Sequence, residues 1–335
     1  MNVDQEGLCD QFFPVTFHTP VVAISQCLNF DACRYSGDKI NDPASAIIAN
    51  ASKVVTMCPE LMMGMSVPRE TLRIISDKDG NESLVAPKTG VDWSKPMQNV
   101  IDQFLDSSHS LDGIILKGRS PSCGPSDVKR YYKIDEGHVK HKGAGLFAAA
   151  LKTSLSPRLP IEEEGRLRSL DIRSHFLTRL FISAEFREVL NSRKMGRLVA
   201  FHAKHKLLML SYNQSRMRAL GSLVANLSKR PKKDVFMDYA EQLPLVFRKP
   251  SKKSNNLNVL QHSLGYFKRT SGPEEKQFFL STLEEYMKGS IPLMVPVNII
   301  KSWIVRDKVS YLAQQSFFTP FPSGLPGTLD STKRK

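Results

Sequence analysis

The 335-residue chain contains no apolar run near the ~18–20 residues that a membrane-spanning helix requires. Its first residues lack the basic-then-apolar order of a secretory signal, so we expect a cytoplasmic protein with no membrane partner. No Cys-x-x-Cys pair occurs, which argues against a zinc ribbon or a two-cluster ferredoxin. The five cysteines are an odd number, and a reducing compartment would keep them as thiols.

Cysteine is absent from the second half of the chain, and charge is distributed just as unevenly. Residues 1–150 hold all five cysteines and a net charge of −3, whereas residues 151–335 carry 32 Lys and Arg against 15 Asp and Glu. The length is that of two domains. We therefore expect a thiol-bearing chemistry domain joined to a basic domain that binds a polyanion. The alternative is a soluble protein with a basic surface and no such partner.

The first region alternates short apolar runs with helical patterns. Buried strands are predicted at 21–25, 53–57 and 113–117. Helices are predicted at 43–52 and 97–108. Strands that alternate with helices favour an α/β N-terminal domain with a mostly parallel sheet, which we place at 18–156.

The rest of the chain has apolar residues at helical spacing. A segment with two prolines and an acidic run, 157–170, is expected to be a junction. The pattern at 171–322 predicts an all-α C-terminal domain of roughly six helices. The Pro/Gly-rich residues 323–335 are expected to form a flexible tail.

Three cysteines follow the three predicted strands. Cys27 and Cys58 come within two residues of a strand end, and Cys123 lies in the loop after the third strand. Since the carboxyl ends of parallel strands share one edge, these thiols are expected to converge. Three thiolates can hold a 4Fe–4S cluster and leave one iron open, although small buried residues are the alternative. Cys33 and Cys9 are weaker candidates, and we expect neither to be a ligand.

Polar side chains accompany these thiols along the sequence. Glu60 is a candidate to activate water beside a metal, or is simply the carboxylate that opens a helix. Ser120 and Ser122 are candidates to orient a substrate or stabilise developing charge. The remaining candidates for substrate binding are Arg34, Tyr35, Arg69 and Lys117, although Arg69 also suits a surface ion pair.

At these residues the chain resembles a known family. The segments SQCL, RYSGDK, CPELMMGMSVPRE, ILKGRSPSCG and GAGLFAAAL are similar to the thiouracil desulfidase domain. The segments IEEEGRL, LVAFHAKHKLLML, LGSLVANL, NVLQHSLGYFKR and IPLMVPV are similar to a helical domain often fused to it. The combination, over about residues 20–322, resembles the RudS-type tRNA 4-thiouridine desulfidases of bacteria.

The resemblance implies a site and a reaction. It implies a 4Fe–4S cluster on Cys27, Cys58 and Cys123, with Glu60 and Ser120 working beside it. Sulfur would leave 4-thiouridine in thiolated tRNA as hydrosulfide. The cluster would supply an open iron for the thiocarbonyl sulfur. Glu60 would take a proton from the attacking water, and Ser120 would hydrogen-bond the base or the sulfur. Cys33 departs from the family pattern, which usually has an aliphatic residue before Arg-Tyr.

Two alternatives stay open. The first is a desulfidase that acts on free thiouracil or another small thiolated molecule. The second is a non-enzymatic iron–sulfur or zinc sensor that binds nucleic acid, although no DNA-reading motif is recognisable. No stable protein partner is indicated by the sequence.

Clusters of basic residues in the second half are predicted to contact RNA phosphates. They are Lys204, Lys206, Arg216, Arg218, Lys229, Arg230, Lys232, Lys233, Arg248, Lys249, Lys268 and Arg269. Tyr266 and Phe267 either stack a base or pack in the core, and we expect core packing. His202 and His205 lack a partner at a ligand spacing, so we expect them, like His262, to be packed and hydrogen-bonded rather than to bind metal.

Overall fold

The computed structural model of the chain describes residues 12–134, 139–226 and 229–325, which form two compact units. The first unit consists of Thr19–Ala184 together with Leu325. The second consists of the described residues up to His18 together with Glu185–Gly324. The expected α/β domain followed by an all-α domain is confirmed. Cys9 lies outside the described residues, and in the described ranges no helix is long and apolar enough to cross a membrane.

The first unit is built on a four-stranded parallel sheet. Its strands in chain order are β1 (Val21–Ser25), β2 (Lys53–Met57), β5 (Gly113–Leu116) and β8 (Ile161–Glu163). They lie side by side in the order β2–β1–β5–β8. The two central strands, β1 and β5, are almost fully buried, because parallel sheets are covered on both faces. The three predicted strands are therefore confirmed to within one residue.

The fourth strand, β8, lies inside the segment that we expected to be a junction. It pairs in parallel with β5, with Leu116 opposite Glu163. Its two consecutive glutamates, Glu162 and Glu163, are atypical of a strand, and an edge position leaves room for the charged side chains. The boundary between the units instead falls at residues 184 and 185, within the helix α5 (Leu170–Ser192).

A second, mixed sheet completes the first unit, and the sequence did not predict it. Its strands are β3 (Arg73–Ser76), β4 (Glu82–Val85), β6 (Val128–Tyr131) and β7 (Val139–Gly143), in the order β4–β3–β6–β7. The β3–β4 hairpin turns at Asp79-Gly80, where Gly80 has φ +87° and the Asp77 carboxylate accepts from the backbone N–H of Asn81 at 2.8 Å. Asp-Gly between β-branched runs was the available signal.

Four helices pack with the sheets of the first unit. They are α1 (Pro43–Asn50), α2 (Pro59–Met62), α3 (Ser94–Ser107) and α4 (Leu146–Leu155), and the two predicted helices overlap α1 and α3. Helix α1 begins where the Asp42 carboxylate accepts from the backbone N–H of Ser45 at 2.8 Å. Helices α3 and α4 meet through Phe104 and Phe147, whose rings touch edge to face at 5.2 Å within one buried cluster.

All the regular elements described in the second unit are helices. After α5 come α6 (Met195–Tyr212), α7 (Gln214–Ala225), α8 (Lys232–Val246), α9 (Lys253–Leu264), α10 (Pro273–Lys288), α11 (Met294–Asp307) and α12 (Ser310–Ala313). Eight described helices therefore replace the expected six. The sequence pattern had no separate helix for α5, and it predicted one helix over 297–315, which the structure divides into α11 and α12 at Lys308, where φ is +51°.

Two buried histidines of α6 form hydrogen bonds with other segments of the second unit. His205 lies 2.7 Å from the Ser316 hydroxyl and 3.1 Å from the Glu185 carboxylate. His202 lies 3.2 Å from the Tyr239 hydroxyl. Both histidines are packed and hydrogen-bonded, as expected. His262 is different, because its side chain is exposed near the end of α9, so the expectation of core packing was wrong for this residue.

Candidate active site

The carboxyl ends of three parallel strands bring the cysteine-bearing loops together. β1 lies between β2 and β5, so the chain leaves the sheet at three neighbouring points. Cys27 follows β1, Cys58 directly follows β2 and precedes α2, and Cys123 lies in the loop after β5. The convergence expected from the strand pattern is therefore built into the pairing of the sheet.

Four thiols, rather than three, influence one another at this edge. Burial raises the pKa of Cys27 to about 11, and the neighbouring Cys58 adds to the rise. Burial, followed by Cys58 and Cys27, raises the pKa of Cys33 to about 12. Burial also raises the pKa of Cys123, with further contributions from Cys58, Glu60 and Cys27. Each of the four thiols therefore lies within electrostatic reach of at least one other thiol.

Cys33 is the thiol that the sequence analysis set aside. It is only 3% exposed, and its side chain is hydrogen-bonded with Cys58. Its backbone carbonyl accepts from Nη2 of Arg69 at 3.0 Å. The signal available in the sequence was its place six residues after Cys27, in the same strand-end loop.

Glu60 is held on both carboxylate oxygens. Nε of Arg69 donates to Oε2 at 2.7 Å, and the Ser122 hydroxyl donates to Oε1 at 2.8 Å. The Arg69 side chain is 5% exposed and that of Glu60 is 13% exposed. Arg69 is thus a buried partner of Glu60 rather than part of a surface ion pair. Ser122 is fully buried, so the structure places it against Glu60 rather than at an open surface.

Ser120 organises the loop that carries Cys123. Its hydroxyl oxygen accepts from the backbone N–H groups of Ser122 and Cys123, both at 3.2 Å. Its carbonyl accepts from the N–H of Gly124 at 2.9 Å. A Cβ at Gly124 would lie 2.5 Å from Val128 and 2.8 Å from that carbonyl, so only glycine lets the loop close this tightly.

Lys117 is fixed by a residue that the sequence analysis did not select. Its Nζ donates to Oε1 of Glu164 at 2.6 Å, while Oε2 of Glu164 accepts from the backbone N–H of Gly118 at 2.7 Å. Glu164 directly follows β8, so its place in the site depends on the pairing of that strand with the sheet. It also contributes to the raised pKa of Cys27, although less than burial and Cys58 do.

Arg34 and Tyr35 lie in the same loop as Cys33. The Arg34 guanidinium lies over the Tyr35 ring at 5.4 Å and 3.9 Å from the Asp38 carboxylate. The Tyr35 side chain is 44% exposed, and its backbone carbonyl accepts from the N–H of Arg69 at 2.9 Å. Of the expected substrate-binding residues, these two are the more accessible pair.

The cysteines at this edge are soft sulfur donors. Within the described ranges no group of three or more His, Cys, Asp or Glu is arranged to hold one metal ion. An iron–sulfur cluster binds each cysteine through a different iron, so its thiolates do not have to meet around one point. Sulfur is a soft donor, which favours iron–sulfur chemistry or zinc over magnesium.

The basic residues of the second unit differ in their freedom to contact a partner. Three of them are engaged within the protein: Lys204 pairs with Glu185, Arg216 donates to Gln242, and Arg230 pairs with Asp238. The other nine are exposed, namely Lys206, Arg218, Lys229, Lys232, Lys233, Arg248, Lys249, Lys268 and Arg269. Phe267 is buried as expected, but Tyr266 is 53% exposed, so the expectation of core packing was wrong for the tyrosine.

Comparison with known proteins also divides the chain into two parts. Residues 22–164 match the family model of the 2-thiouracil desulfurases, and residues 206–322 match a family of unknown function, DUF1722. The uncharacterized protein YbgA of Escherichia coli (strain K12) is 27% identical over 128 residues, which cover 38% of this chain and 76% of that protein. The uncharacterized protein YbbK of Bacillus subtilis (strain 168) is 29% identical over 138 residues, covering 39% of this chain and 89% of that protein.

One solved structure is similar to part of this chain. It is the [4Fe-4S]-dependent thiouracil desulfidase TudS, with 20% identity and a TM-score of 0.35 over 44% of this chain and 93% of its own. By its family-model matches, the chain joins a segment of the 2-thiouracil desulfurase type to a segment of the DUF1722 type.

Proposed function

We propose that the chain is a desulfidase that removes sulfur from 4-thiouridine in tRNA. The overall reaction replaces the C4 thiocarbonyl by a carbonyl, consumes one water and gives uridine and hydrosulfide with one proton. One observation carries the proposal. Cys27, Cys58 and Cys123 come together with the held carboxylate of Glu60 at one sheet edge, inside the segment that matches the 2-thiouracil desulfurase family.

The three thiols at the strand ends are the ones we propose as ligands of a 4Fe–4S cluster. Such a cluster, when bound, supplies an open iron that acts as a Lewis acid and accepts soft sulfur. The burial that raises the pKa of Cys123 and Cys27 disfavours free thiolates at this edge. Binding to a positively charged centre removes that penalty, so the cysteines fit a ligand role.

Glu60 is the residue that we propose as the general base. Arg69 and Ser122 each occupy one of its oxygens, and together they fix the orientation of the carboxylate. Each carboxylate oxygen has a second lone pair, so Glu60 can still accept a proton from a water that attacks C4. Arg69 and Ser122 thereby act as positioning residues.

Ser120 is the residue that we propose to bind the base. Its hydroxyl oxygen accepts two backbone N–H groups, while its own O–H proton remains available for donation. A hydroxyl held in this way can donate to the thiocarbonyl sulfur or to a ring atom of the base. Arg34 and Tyr35 supply the nearest accessible cation and aromatic ring in the loop of Cys33.

The tRNA part of the proposal rests on the charge of the second half of the chain. Residues 151–335 carry a net +17, and nine of the twelve selected cations are exposed. Contacts of this kind bind phosphates without reading sequence, and the target base must leave its stack to reach the thiol edge. A desulfidase of free thiouracil has no use for such a surface.

The test is a turnover assay on the full chain purified without oxygen. It would be incubated with bulk tRNA that contains 4-thiouridine, and in parallel with free 4-thiouracil at the same thiocarbonyl concentration. The expected result is loss of thiocarbonyl absorbance from tRNA, equimolar sulfide release, and a kcat/KM at least about tenfold higher for tRNA than for the free base.

Other outcomes would contradict parts of the proposal. Equal or faster turnover of free 4-thiouracil would overturn tRNA as the substrate but leave the desulfidase in place. A brown protein that binds tRNA and leaves the thiocarbonyl intact would favour the sensor alternative. A colourless protein that contains zinc would overturn the cluster.

A further inference from the structure

Two exposed tyrosines form a stacked pair on the helical unit. The Tyr266 and Tyr311 rings have centroids 5.6 Å apart and an angle of 18° between their planes. Tyr266 is 53% exposed and Tyr311 is 39% exposed. Aromatic side chains usually contribute most of their free energy by burial, so a parallel pair left in water presents an unused flat apolar face.

The pair is held in a rigid setting. Tyr266 lies in the turn Gly265–Phe267 that follows α9, and the next residue, Phe267, is fully buried. The Phe267 ring packs edge to face on Trp303 at 5.5 Å, which anchors the turn to α11. Tyr311 lies in α12. The stacked face is therefore built before any ligand arrives, which lowers the entropic cost of binding.

Positive charge dominates the segments that carry the two rings. Lys268 and Arg269 directly follow Phe267 and are exposed, and Nζ of Lys276 donates to the Lys268 carbonyl at 2.8 Å. Lys308 precedes Tyr311 by three residues at the end of α11. Among the described residues, no ion pair engages any of these four cations.

The neighbouring carboxylates cancel only part of this charge. Arg306 donates to Glu275 at 2.6 Å and to Asp307 at 2.8 Å, so its single positive charge already balances one of these two acids. Asp307 also accepts from the Thr270 hydroxyl, and Glu275 accepts from the backbone N–H of Gly272. The surroundings of the rings therefore suit an anionic partner.

We propose that Tyr266 and Tyr311 form a stacking platform for an unpaired base of RNA, with Lys268, Arg269 and Lys308 contacting the adjacent phosphates. Exposed aromatic rings flanked by cations are the combination that binds single-stranded nucleotides, since every base has a π-face. The inference rests on the tRNA part of the proposed function and assigns a particular place to it.

The test measures binding of an unmodified tRNA transcript, which offers no sulfur to remove, to the full chain over a series of salt concentrations. Tyr266→Ala and Tyr311→Ala are each expected to weaken binding about 5- to 100-fold, the loss reported for one stacked base. The slope of log K against log salt should stay unchanged in both variants. Lys268→Ala should instead make that slope shallower by about 0.7–0.9, the contribution of one phosphate contact.

Two matched variants separate stacking from other effects. Tyr266→Phe keeps the ring and should bind tRNA within about threefold of the unaltered chain. Phe278→Ala removes a ring that is 65% exposed in the same unit, on α10, and should leave affinity unchanged. Thermal unfolding of each variant verifies the fold, and because Tyr266 and Tyr311 lie on different elements, each tests the platform independently.

The outcomes distinguish this inference from the proposed function. If the unaltered chain binds tRNA and both tyrosine-to-alanine variants bind as Phe278→Ala does, the platform is overturned and the tRNA substrate stands. If the unaltered chain does not bind tRNA, both are overturned. If Tyr266→Ala changes the molar mass in sedimentation and not the RNA affinity, the pair is a contact between copies of the chain, and the platform is again overturned.

Discussion

Glu60 shows how much of the proposed chemistry depends on a single side chain and its two donors. Replacing it by Gln removes the proton acceptor while keeping the size of the side chain. We expect Glu60→Gln to lower kcat at least about 100-fold, the usual contribution of a general base, and to leave the iron content unchanged. Turnover of thiolated tRNA and iron determination on the same preparation would check this.

A nearby carboxylate provides the matched control for Glu60. Glu70 accepts from the backbone N–H of Lys88 and from the Thr89 hydroxyl, and no thiol or serine of the site contacts it within the described ranges. Glu70→Gln should therefore retain normal turnover. Full activity of Glu60→Gln would remove its role as the base.

The four thiols differ in their predicted roles, and iron content separates them. We expect Cys27→Ala, Cys58→Ala and Cys123→Ala each to lose most of the bound iron, because each removes one of three proposed ligands. Cys33→Ala keeps all three ligands and should retain its iron and its visible spectrum. Iron analysis after anaerobic purification is the measurement, and loss of iron from Cys33→Ala would place this thiol in the ligand set.

At the scale of elements, the pairing of strand β8 with the sheet places an acidic residue in the site. Glu164 at its end accepts from Nζ of Lys117 and from the N–H of Gly118, and its side chain is only 10% exposed. Glu164→Ala leaves the buried N–H of Gly118 without a partner, and it leaves the partly buried ammonium of Lys117 with only the Gly118 carbonyl, at 2.7 Å. We expect it to lower the free energy of unfolding by about 2–4 kcal/mol, measured by urea denaturation.

Glu162, which lies within β8, is the control. Glu162 pairs with Arg166, whose side chain is 53% exposed, and exposed pairs contribute little. Glu162→Ala should cost at most about 1 kcal/mol. Equal losses for the two variants would show that Glu164 does not hold the Lys117 loop through these bonds.

At the scale of the whole molecule, buried histidines make the helical unit sensitive to acid. Burial, with smaller contributions from Lys206 and His205, lowers the pKa of His202 to about 4. In the unfolded chain the pKa of histidine is about 6.5. Its stabilising contribution is therefore complete above about pH 6.5 and is lost as the pH falls toward 4, because the unfolded state takes up the proton first.

This dependence can be measured on the full chain. Trp93 and Trp303 are the two tryptophans, so a Trp93→Phe background leaves Trp303 as the fluorescent reporter of the helical unit. Between pH 7 and pH 5 the chain with His202 should lose about 1–2 kcal/mol more stability than His202→Gln, allowing for solvent screening. Identical pH dependence in the two chains would contradict the buried, neutral state of His202.

Glu185 does not enter that comparison. Burial raises the pKa of its carboxyl, but the hydrogen bonds and charges of His205 and Lys204 outweigh burial and lower the pKa to about 2. Its stabilising contribution is present above the unfolded value, near pH 4.5, and is lost only as the pH falls from there toward 2. The interval from pH 7 to pH 5 therefore reports the histidines.

The sequence alone determined the division into an α/β domain and an all-α domain and the convergence of the three thiols. Strands β1, β2 and β5 were predictable because each is a short β-branched run with turn residues after it, and a parallel sheet gathers the loops after such strands at one edge. The charge of the second half was equally plain, because it depends on composition and not on contacts.

Only the tertiary structure decided which neighbours these residues have. Cys33 lies beside other thiols, and Glu164 accepts a hydrogen bond from Lys117. The local pattern of the sequence encodes neither contact. Local periodicity reports which side of an element is apolar, but not which distant side chain faces it. Tyr266 and Phe267 show the same limit. They are adjacent in one turn, yet Phe267 is buried against Trp303 of α11 and Tyr266 is exposed.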